Sequence, residues 1–325
     1  MLPFSYEKVG SADAAIAAAT AGGRYIAGGT TLIDLMREEV ERPEKLIDIN
    51  ALPLNYVRNE GGDLVIGALT RMAEVAAHPE VQRLQPVIAE CLIEGASPQL
   101  RNVASMGGNL LQRCRCPYFR MHDAACNKRT PGSGCAAMDG LNAGHAILGT
   151  SDSCIATHPS DVAVALIALD ASMRVRGPSG ERSFMVEQLF RLPGATPHVE
   201  HALDPGELIV EIRVPGGRYS SRARYLKVRD RSSYEFAVVS AAAALDVEGG
   251  IIREARIACG GVGTKPWRMR ACEAALVGKA PERATFEAAA KLALDGVRPL
   301  AHNHYKAELL PRTIVRALEM AGDVA

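Results

Sequence analysis

The chain has 325 residues, 48% of them hydrophobic, and its 37 lysines and arginines are balanced by 37 aspartates and glutamates. This zero net charge argues against nucleic acid or an anionic membrane surface as the main partner, and no apolar run reaches membrane-spanning length. The start, MLPFSYEKVG, has no basic segment followed by an apolar stretch, so the chain is expected to carry no export signal of its own. Eight cysteines in a chain of this length indicate metal binding rather than a disulfide scaffold.

The first fifty residues alternate helical and strand patterns. Residues 11–23, SADAAIAAATAGG, predict a short helix that Ser11 caps and that ends at the glycine pair. A short buried strand at 25–27 runs into a Gly-Gly-Thr-Thr turn, and a second helix follows with Leu32, Leu35 and Met36 on one face. Further strands are predicted at 45–49 and 64–68. This order predicts a βαβ unit followed by an α/β or α+β arrangement.

Helices and strands continue towards the carboxyl terminus around two irregular stretches. Residues 71–100 have a helical pattern with interruptions at Pro79 and Pro86. A glycine turn at 105–109 leads into a cysteine-rich loop, and a helix running into a strand covers 161–177. Residues 207–214 alternate as a strand that ends at Pro215, and 216–222 resemble a linker. The remainder predicts strands near 236–245 and 252–259 and helices near 268–276, 284–294 and 309–320.

Two glycine turns are the first candidates for a binding site. The first turn comprises residues 27–32 (AGGTTL), and the second turn comprises residues 105–109 (SMGGN). Glycines let a backbone approach a ligand closely, and free amides at the start of a helix bind phosphate. The two turns together therefore suit the binding of an extended dinucleotide. The alternative interpretation is that each is a tight turn without a ligand. Neither turn, nor GGVG at 260–263, fits the G-x-G-x-x-G fingerprint, which disfavours an NAD-binding Rossmann domain.

Four segments of the chain are similar to motifs of one family: the first turn, the second turn, HPSD at 158–161 and YLKVRDRSSYEFAVVS at 225–240. This family is the FAD-binding medium subunits of the molybdenum hydroxylases, the xanthine dehydrogenase and carbon monoxide dehydrogenase group. The resemblance covers nearly the whole chain and implies that both turns bind the flavin pyrophosphate. The FAD-binding residues that it implies are Arg24, Tyr25, Ile26, Ala27, Gly28, Gly29, Thr30, Thr31, Leu32, Ser105, Gly107, Gly108, Asn109, Asp161, Ile209 and Lys227.

The resemblance also implies the fold and its domains. The fold class is α+β, with a PCMH-type FAD-binding fold of two α/β subdomains and a carboxyl-terminal α/β domain like that of the carbon monoxide dehydrogenase flavoprotein. The FAD-binding domain is expected at residues 1–215, with subdomains at about 1–57 and 58–215 and a [4Fe–4S] insertion at 112–156. The carboxyl-terminal domain is expected at 216–325.

Three of the implied residues have specific roles in the resemblance. Asp161 is expected to accept a hydrogen bond from a ribitol or ribose hydroxyl; the alternative is a cap for the helix that follows it, and we expect it to serve both roles in part. Lys227 is expected to place positive charge near the flavin, which favours the anionic reduced form; without the resemblance it is a solvated strand residue. Ile209 is expected to pack near the flavin.

The cysteine-rich loop separates two elements that are only a few residues apart in most of the family. Asn109 and Pro159 are fifty positions apart here, so residues 112–156 are an insertion. The insertion has too little apolar surface to fold unaided. A metal centre held by four thiolates would order it. The spacing leaves a [4Fe–4S] cluster and a Zn(Cys)4 site as equal alternatives, with three histidines as possible substitutes. The best-spaced cysteines are Cys116, Cys126, Cys135 and Cys154, and the histidines are His122, His145 and His158.

Resemblance to a minority branch of the family favours the [4Fe–4S] cluster over the zinc site. The medium subunits of 4-hydroxybenzoyl-CoA reductase and of bacterial periplasmic aldehyde oxidoreductases carry such an insertion with a [4Fe–4S] cluster. The second group is the closer, in CNKR-x-PGSGCAA and CIATHPSD. The four best-spaced cysteines are then the cluster ligands, and Cys114 is a spare neighbour. The remaining cysteines lie in apolar patterns typical of core thiols: Cys91, Cys259 and Cys272.

Basic residues are concentrated in the insertion. Cations near a four-thiolate cluster stabilise its negative charge and raise its potential. We hypothesise that some of them also form a docking patch for an acidic electron carrier, with a solvated charged rim as the alternative. These residues are Arg113, Arg115, Arg120, Lys128 and Arg129.

The resemblance implies an electron-transfer role. The chain is expected to be the FAD and [4Fe–4S] subunit of a heterotrimeric molybdenum aldehyde oxidoreductase, with a large molybdenum-cofactor subunit and a small [2Fe–2S] subunit. Electrons are expected to leave to an external acceptor such as a ferredoxin. No nucleic acid or membrane is expected as a partner. No residue is expected to act as a catalytic acid, base or nucleophile, and the sequence has no such signature.

Two other functions and two locations remain open at this point. The alternative functions are a self-sufficient flavoprotein oxidase or dehydrogenase, and a zinc-stapled interaction module without enzymatic activity. The complex is expected in the periplasm, exported folded by a partner's twin-arginine signal. The alternative location is the cytoplasm.

Overall fold

The structure is a computed structural model that describes residues 1–217 and 219–324. Arg218, in the predicted linker, and Ala325, the last residue of the predicted carboxyl-terminal domain, lie outside the described residues. In chain order the strands are β1 (Ser5–Lys8), β2 (Arg24–Ile26), β3 (Lys45–Asp48), β4 (Val57–Glu60), β5 (Asp63–Gly67), β6 (Ser172–Gly177), β7 (Gly180–Met185), β8 (Leu208–Val214), β9 (Ala223–Val228), β10 (Val239–Glu248), β11 (Ile251–Gly260) and β12 (Trp267–Arg268). The helices are α1 (Ala12–Thr20), α2 (Leu32–Arg37), α3 (Met72–Ala77), α4 (Pro79–Leu84), α5 (Pro86–Glu94), α6 (Pro98–Arg101), α7 (Met106–Leu110), α8 (Pro117–Arg120), α9 (Asp161–Ala168), α10 (Val186–Leu189), α11 (Arg270–Leu276), α12 (Arg283–Ala290) and α13 (Tyr305–Gly322), with 3-10 turns at Ser220–Arg222 and Lys291–Leu294.

The amino-terminal part is a small parallel sheet in the order β1-β3-β2. Ser11 caps α1 as the sequence predicts, since its Oγ accepts a hydrogen bond from the Ala14 amide at 3.2 Å. Leu46 and Ile47 of β3 are both buried. The first turn follows the carboxyl end of β2, the end at which parallel sheets bind ligands.

The middle of the chain forms an antiparallel sheet in the order β4-β5-β8-β6-β7. Helices α3, α5 and α9 pack over it and enclose the largest hydrophobic core. Pro79 and Pro86 are the first residues of α4 and α5, which confirms the predicted interruptions, because proline has no amide to donate within a helix. This antiparallel sheet beside a parallel one confirms the α+β class.

The carboxyl-terminal part is a second antiparallel sheet, in the order β12-β11-β10-β9, covered by α11, α12 and α13. Strand β10 begins at Val239, later than predicted, and Phe236 lies exposed in the loop before it. Helix α13 begins at Tyr305, before the predicted start, and contains Pro311. None of the helices in the described residues combines the length and the apolar character needed to cross a bilayer.

The insertion has little regular structure, as the sequence predicts. It contains α8 and two isolated bridges, one between Cys126 and Cys135 and one between Ser151 and Cys154. Its ends are drawn together where the Ser160 hydroxyl donates to Asn109 Oδ1 at 2.5 Å. Its small apolar cluster consists of Leu35, Cys114, Phe119, Cys126, Cys154 and Ala156.

Candidate functional site

The two glycine turns lie against each other. A Cβ added to Gly28 would lie 2.1 Å from the Val103 carbonyl oxygen, just before the second turn, so only glycine permits this approach. Gly29 adopts a φ of +71°, in the left-handed region that glycine tolerates. The sequence therefore places glycine where the backbone geometry requires it.

A hydrogen-bond network that the sequence did not predict fastens the two turns. The Asn50 side-chain amide donates to the Ala27 carbonyl at 3.0 Å. Arg71 donates from Nη2 to Asn50 Oδ1 at 2.7 Å and from Nη1 to the Val103 carbonyl at 2.8 Å. Asn50 and Arg71 lie outside every glycine motif, so no sequence signal identified them.

The first turn offers unpaired backbone donors. Among the described residues, none of the amides from Gly28 to Thr31 donates to a protein acceptor. Adjacent free amides in a glycine turn form a concave site for an anion. This arrangement fits the pyrophosphate of a dinucleotide.

The amides of the second turn are already used. Those of Met106 and Gly107 donate to the carbonyls of Thr70 and Ala68 at 3.0 and 2.8 Å, and that of Gly108 donates to Ser105 Oγ at 3.2 Å. The amides of Met106, Gly107 and Gly108 are therefore paired within the chain, and that both turns bind the flavin pyrophosphate stays a prediction.

The other residues expected around the flavin are spread over the same region. Arg24 is exposed, and the Tyr25 hydroxyl donates to the Gly206 carbonyl at 2.8 Å. Burial raises the pKa of Tyr25 to about 12. Ile209 lies in β8 and is buried in the core beneath the antiparallel sheet. The partly buried residues of the first strand and turn are Ile26, Ala27, Thr30, Thr31 and Leu32.

Asp161 and Lys227 form a buried ion pair. Lys227 Nζ lies 2.9 Å from Asp161 Oδ2 and donates to the Glu94 carbonyl at 3.0 Å, and the Tyr225 hydroxyl donates to Asp161 Oδ1 at 2.5 Å. The Lys227 side chain is 1% exposed, so the alternative of a solvated strand residue was wrong. Burial raises the pKa of Asp161, although Lys227 opposes that rise.

The cap of α9 is Ser160 rather than Asp161. Ser160 Oγ accepts from the Ala163 amide at 3.1 Å. The same hydroxyl donates to Asn109, so this serine joins α9 to the second turn. Serine is as strong a capping residue as aspartate, so a serine directly before Asp161 is itself a sequence signal for this cap. The capping alternative for Asp161 was wrong.

Five cysteines of the insertion line one cavity. Phe119, Ala137 and Ala156 complete much of its apolar wall. Within residues 1–217 and 219–324, no group of three or more His, Cys, Asp or Glu side chains converges closely enough to hold a single metal ion. The five cysteines are Cys114, Cys116, Cys126, Cys135 and Cys154.

Asn127 shapes the loop between two of these cysteines. Its Oδ1 accepts from the amides of Gly132 and Gly134 at 3.1 and 2.8 Å, and its Nδ2 donates to the Ser153 carbonyl at 3.1 Å. Both glycines have positive φ, +87° and +96°. One amide side chain therefore closes the loop and ties it to the segment that contains Cys154.

Arg129 holds α8 and the turn after it. Its Nη1 donates to the carbonyls of Tyr118 and Phe119, both at 2.8 Å. Its Nη2 donates to the carbonyl of His122 at 3.1 Å and to that of Ala124. This guanidinium satisfies carbonyls that the irregular backbone does not pair.

Arg120 and Arg115 join the insertion to α2. The Arg120 guanidinium lies 2.8 Å from Asp34 Oδ2 and 2.7 Å from Glu38 Oε2. Arg115 Nη1 is 3.5 Å from the same oxygen of Asp34. Both cations therefore face the helix that begins at the end of the first turn.

Arg113 and Lys128 meet at Glu200. Arg113 Nε and Lys128 Nζ lie 2.5 and 2.8 Å from this carboxylate, and Arg113 Nη1 is 2.6 Å from Glu41. Burial raises the pKa of Glu200, but the two cations outweigh it and bring the value to about 2. All five basic residues of the insertion are engaged within the chain, which does not support the docking-patch hypothesis: they fasten the insertion.

The three histidines considered as ligands have different surroundings. His145 Nε2 lies 3.2 Å from Cys116 Sγ. His122 Nε2 lies 2.6 Å from a backbone carbonyl just after α2, and the His158 ring packs edge-on against Phe190 with 4.6 Å between centroids. Burial lowers the pKa of His145 to about 4. The cysteines expected in the core, Cys91, Cys259 and Cys272, are buried free thiols.

Sequence-family models match both parts of the chain. One, described as the FAD binding domain in molybdopterin dehydrogenase, matches residues 2–217. Another, described as the CO dehydrogenase flavoprotein C-terminal domain, matches residues 224–321. FAD is therefore the cofactor of the amino-terminal part.

Known proteins related to the chain share its full length. The aldehyde oxidoreductase FAD-binding subunit PaoB of Escherichia coli K12 is 46% identical, over 99% of this chain and 99% of that protein. The carbon monoxide dehydrogenase medium chain of Hydrogenophaga pseudoflava is 27% identical over 99% and 98%. A solved structure of the Hydrogenophaga pseudoflava enzyme matches with a TM-score of 0.78 at 27% identity, over 100% of both chains. The chain belongs to the family of FAD-binding subunits of the molybdenum hydroxylases, and it is the flavin component of an oxidoreductase.

Proposed function

We propose that the chain is the FAD- and [4Fe–4S]-containing electron-transfer subunit of a heterotrimeric molybdenum aldehyde oxidoreductase. A large subunit with the molybdenum cofactor oxidises the aldehyde, and a small subunit with [2Fe–2S] clusters passes the electrons to this chain. This chain delivers them to an external acceptor. The name of the Escherichia coli relative, an aldehyde oxidoreductase subunit 46% identical to this chain, supports the substrate class.

The observation that carries the proposal is the grouping of the insertion's cysteines around one cavity. A cluster fills such a space with iron and sulfide, whereas a zinc ion needs ligands that meet at one point. The four proposed ligands are Cys116, Cys126, Cys135 and Cys154, and Cys114 is a buried thiol beside them. When bound, FAD stores two electrons and the cluster carries one at a time.

The flavin's pyrophosphate is proposed to bind at the first turn. The unpaired amides from Gly28 to Thr31 supply donors for its oxygens. Asp161 of the buried Asp161–Lys227 pair follows Ser160, whose hydroxyl donates to Asn109 of the second turn. Electron transfer needs no general acid or base. The residues around both cofactors therefore bind and orient them.

The periplasm is the proposed location, with the chain exported folded beside a partner that bears the signal. The proposed acceptor is a small electron carrier such as a ferredoxin. Because the insertion's cations are paired internally, that carrier is proposed to dock elsewhere than on Lys128 and Arg129.

Metal and flavin analysis of the purified complex tests the proposal. We expect about four iron atoms per chain beyond those of the [2Fe–2S] clusters, one FAD and no stoichiometric zinc. Replacing one ligand by Cys126→Ser should remove that iron and its electron paramagnetic resonance (EPR) signal. Cys272→Ser, the same change in the carboxyl-terminal core, should leave both in place.

The rival functions give different results in the same measurement. Zinc without iron would identify a stapled interaction module, and flavin without iron or a molybdenum partner would identify a self-sufficient flavoprotein. A Cys126→Ser complex that keeps all its iron would reject the ligand set.

A further inference from the structure

The His145 side chain is held beside one of the proposed cluster ligands. Its Nε2 lies 3.2 Å from Cys116 Sγ, and the residue is 4% exposed. The ring also packs near Tyr118, with 6.3 Å between centroids. His145 is therefore buried at the edge of the cysteine-lined cavity.

The backbone that follows His145 is fixed by both the insertion and the carboxyl-terminal part. The Ala146 amide donates to the Ile155 carbonyl at 2.9 Å, and the Ile147 amide donates to the Val262 carbonyl at 2.8 Å. Asn303 Nδ2 donates to the Ala146 carbonyl at 3.2 Å. The position of the ring relative to Cys116 is thus set by three separate segments.

The hydrogen-bond partners of the ring determine which nitrogen carries the proton. Nδ1 is buried without a hydrogen-bond partner among the described residues, whereas Nε2 faces the sulfur. A thiolate that binds iron has no proton to donate. The proton must therefore be on Nε2 for the contact to be attractive.

We infer that His145 raises the reduction potential of the proposed [4Fe–4S] cluster by donating its Nε2–H to Cys116 Sγ. This inference rests on the proposed function. Reduction adds one electron to the cluster, breaks no bond and moves no proton, and the added negative charge extends onto the thiolate sulfurs. A donor at the sulfur stabilises the reduced state more than the oxidised state. His145 is a positioning residue that acts through Cys116.

The test is a reductive titration of the purified complex with dithionite, followed by EPR. His145→Phe keeps a buried ring and removes the donor. We expect the cluster of this variant to be about ten times harder to reduce, which is a fall of about 59 mV for a one-electron couple. The iron content per chain should stay unchanged.

Two further variants separate tuning from structural support. His145→Gln keeps an N–H donor and should restore most of the potential. His122→Phe removes another histidine of the insertion, one that faces a carbonyl near α2, and should leave the potential unaltered.

The outcomes distinguish failure of this inference from failure of the proposed function. A complex without cluster iron in its unmodified form rejects both. Full iron in His145→Phe with an unchanged potential rejects the inference alone. Loss of iron in both the Phe and Gln variants also rejects it, because the ring then supports the fold. An equal shift in His122→Phe would show a nonspecific effect of the insertion and would overturn it as well.

Discussion

At the first turn, the absence of one methyl group decides how closely two segments approach. Replacing Gly28 with alanine would place the new Cβ 2.1 Å from the Val103 carbonyl oxygen. The obstacle is backbone, so the turn itself must move. We expect Gly28→Ala to weaken FAD binding at least about tenfold and to cost about 1–3 kcal/mol of unfolding free energy. FAD content and fluorescence titration measure the first effect, and urea unfolding measures the second.

Gly10→Ala is the matched control for this prediction. Nothing lies within 4 Å of a Cβ built on Gly10, and its φ is not in the left-handed region. This variant should bind FAD normally. If Gly28→Ala also retained full FAD affinity, the close contact between the turns would not matter for the cofactor.

Single residues also show where sequence reasoning stops. The glycine positions could be predicted because a tight turn followed by a helix has a local sequence pattern, although the close contact of Gly28 with Val103 is not local. The partner of a polar side chain is not local: Asp161 could cap a helix, bind a hydroxyl or pair with a cation. The structure pairs it with Lys227, 66 positions away. Helix α9 has one N-cap position, and the neighbouring Ser160 occupies it.

At the scale of elements, α2 connects the first turn with the insertion. The helix begins at Leu32, the last residue of the turn. Towards the insertion, Asp34 and Glu38 form ion pairs with Arg120, and Leu35 packs in the insertion's apolar cluster. The first turn and the cysteine cavity are thus supported by the same short helix.

This shared helix predicts that the two proposed cofactor sites are coupled. Arg120→Ala would leave the acidic side of α2 without its main partner, so the helix and the turn before it should become less ordered. We expect the dissociation constant for FAD to rise about fivefold. By reciprocity of binding free energies, bound FAD should raise the fraction of iron retained at equilibrium with a chelator in the unmodified protein, but less so in the variant.

The control for Arg120 is Arg283→Ala in the carboxyl-terminal part. Arg283 also pairs with two carboxylates, Glu287 and Glu319, at 2.8 and 2.9 Å. It should change neither FAD affinity nor iron release. Equal effects of the two variants, or none from Arg120→Ala, would contradict coupling through α2.

The elements themselves were largely predictable, and their contacts were not. Ser11 and the two prolines mark helix starts through local hydrogen bonding. The ion pair of Arg120 with Asp34 joins residues 86 positions apart, and no periodicity encodes such a pair. The same cations looked available for a docking patch because a sequence shows the charge and not its partner.

Across the whole molecule, the amino-terminal and carboxyl-terminal parts meet through buried polar groups. Strand β9 brings Tyr225 and Lys227 to Asp161 at the start of α9. Further along α9, Arg268 of β12 donates to the Ile167 carbonyl at 2.6 Å and lies 2.8 Å from Asp170. The family resemblance identified the two parts correctly, but it assigned Lys227 to the flavin and did not anticipate this interface.

Removing one partner of the buried pair should destabilise this interface. Lys227→Met leaves the Asp161 carboxylate buried without its cation. We expect a loss of about 3–5 kcal/mol in unfolding free energy, measured by urea unfolding of the full chain. An exposed pair makes the control: Arg312 and Glu308 lie 3.8 Å apart on the surface of α13, and Arg312→Met should cost less than about 1 kcal/mol.

The double variant Asp161→Asn with Lys227→Met separates the structural role of Lys227 from its predicted role at the flavin. Removing both charges removes the uncompensated one, so most of the lost stability should return. If Lys227 or Asp161 also acts on the flavin, the stabilised double variant will still bind FAD weakly. Recovery of both stability and FAD affinity would show that Lys227 acts only at the interface between the two parts. Failure to recover stability would mean that the pair is not the source of the loss.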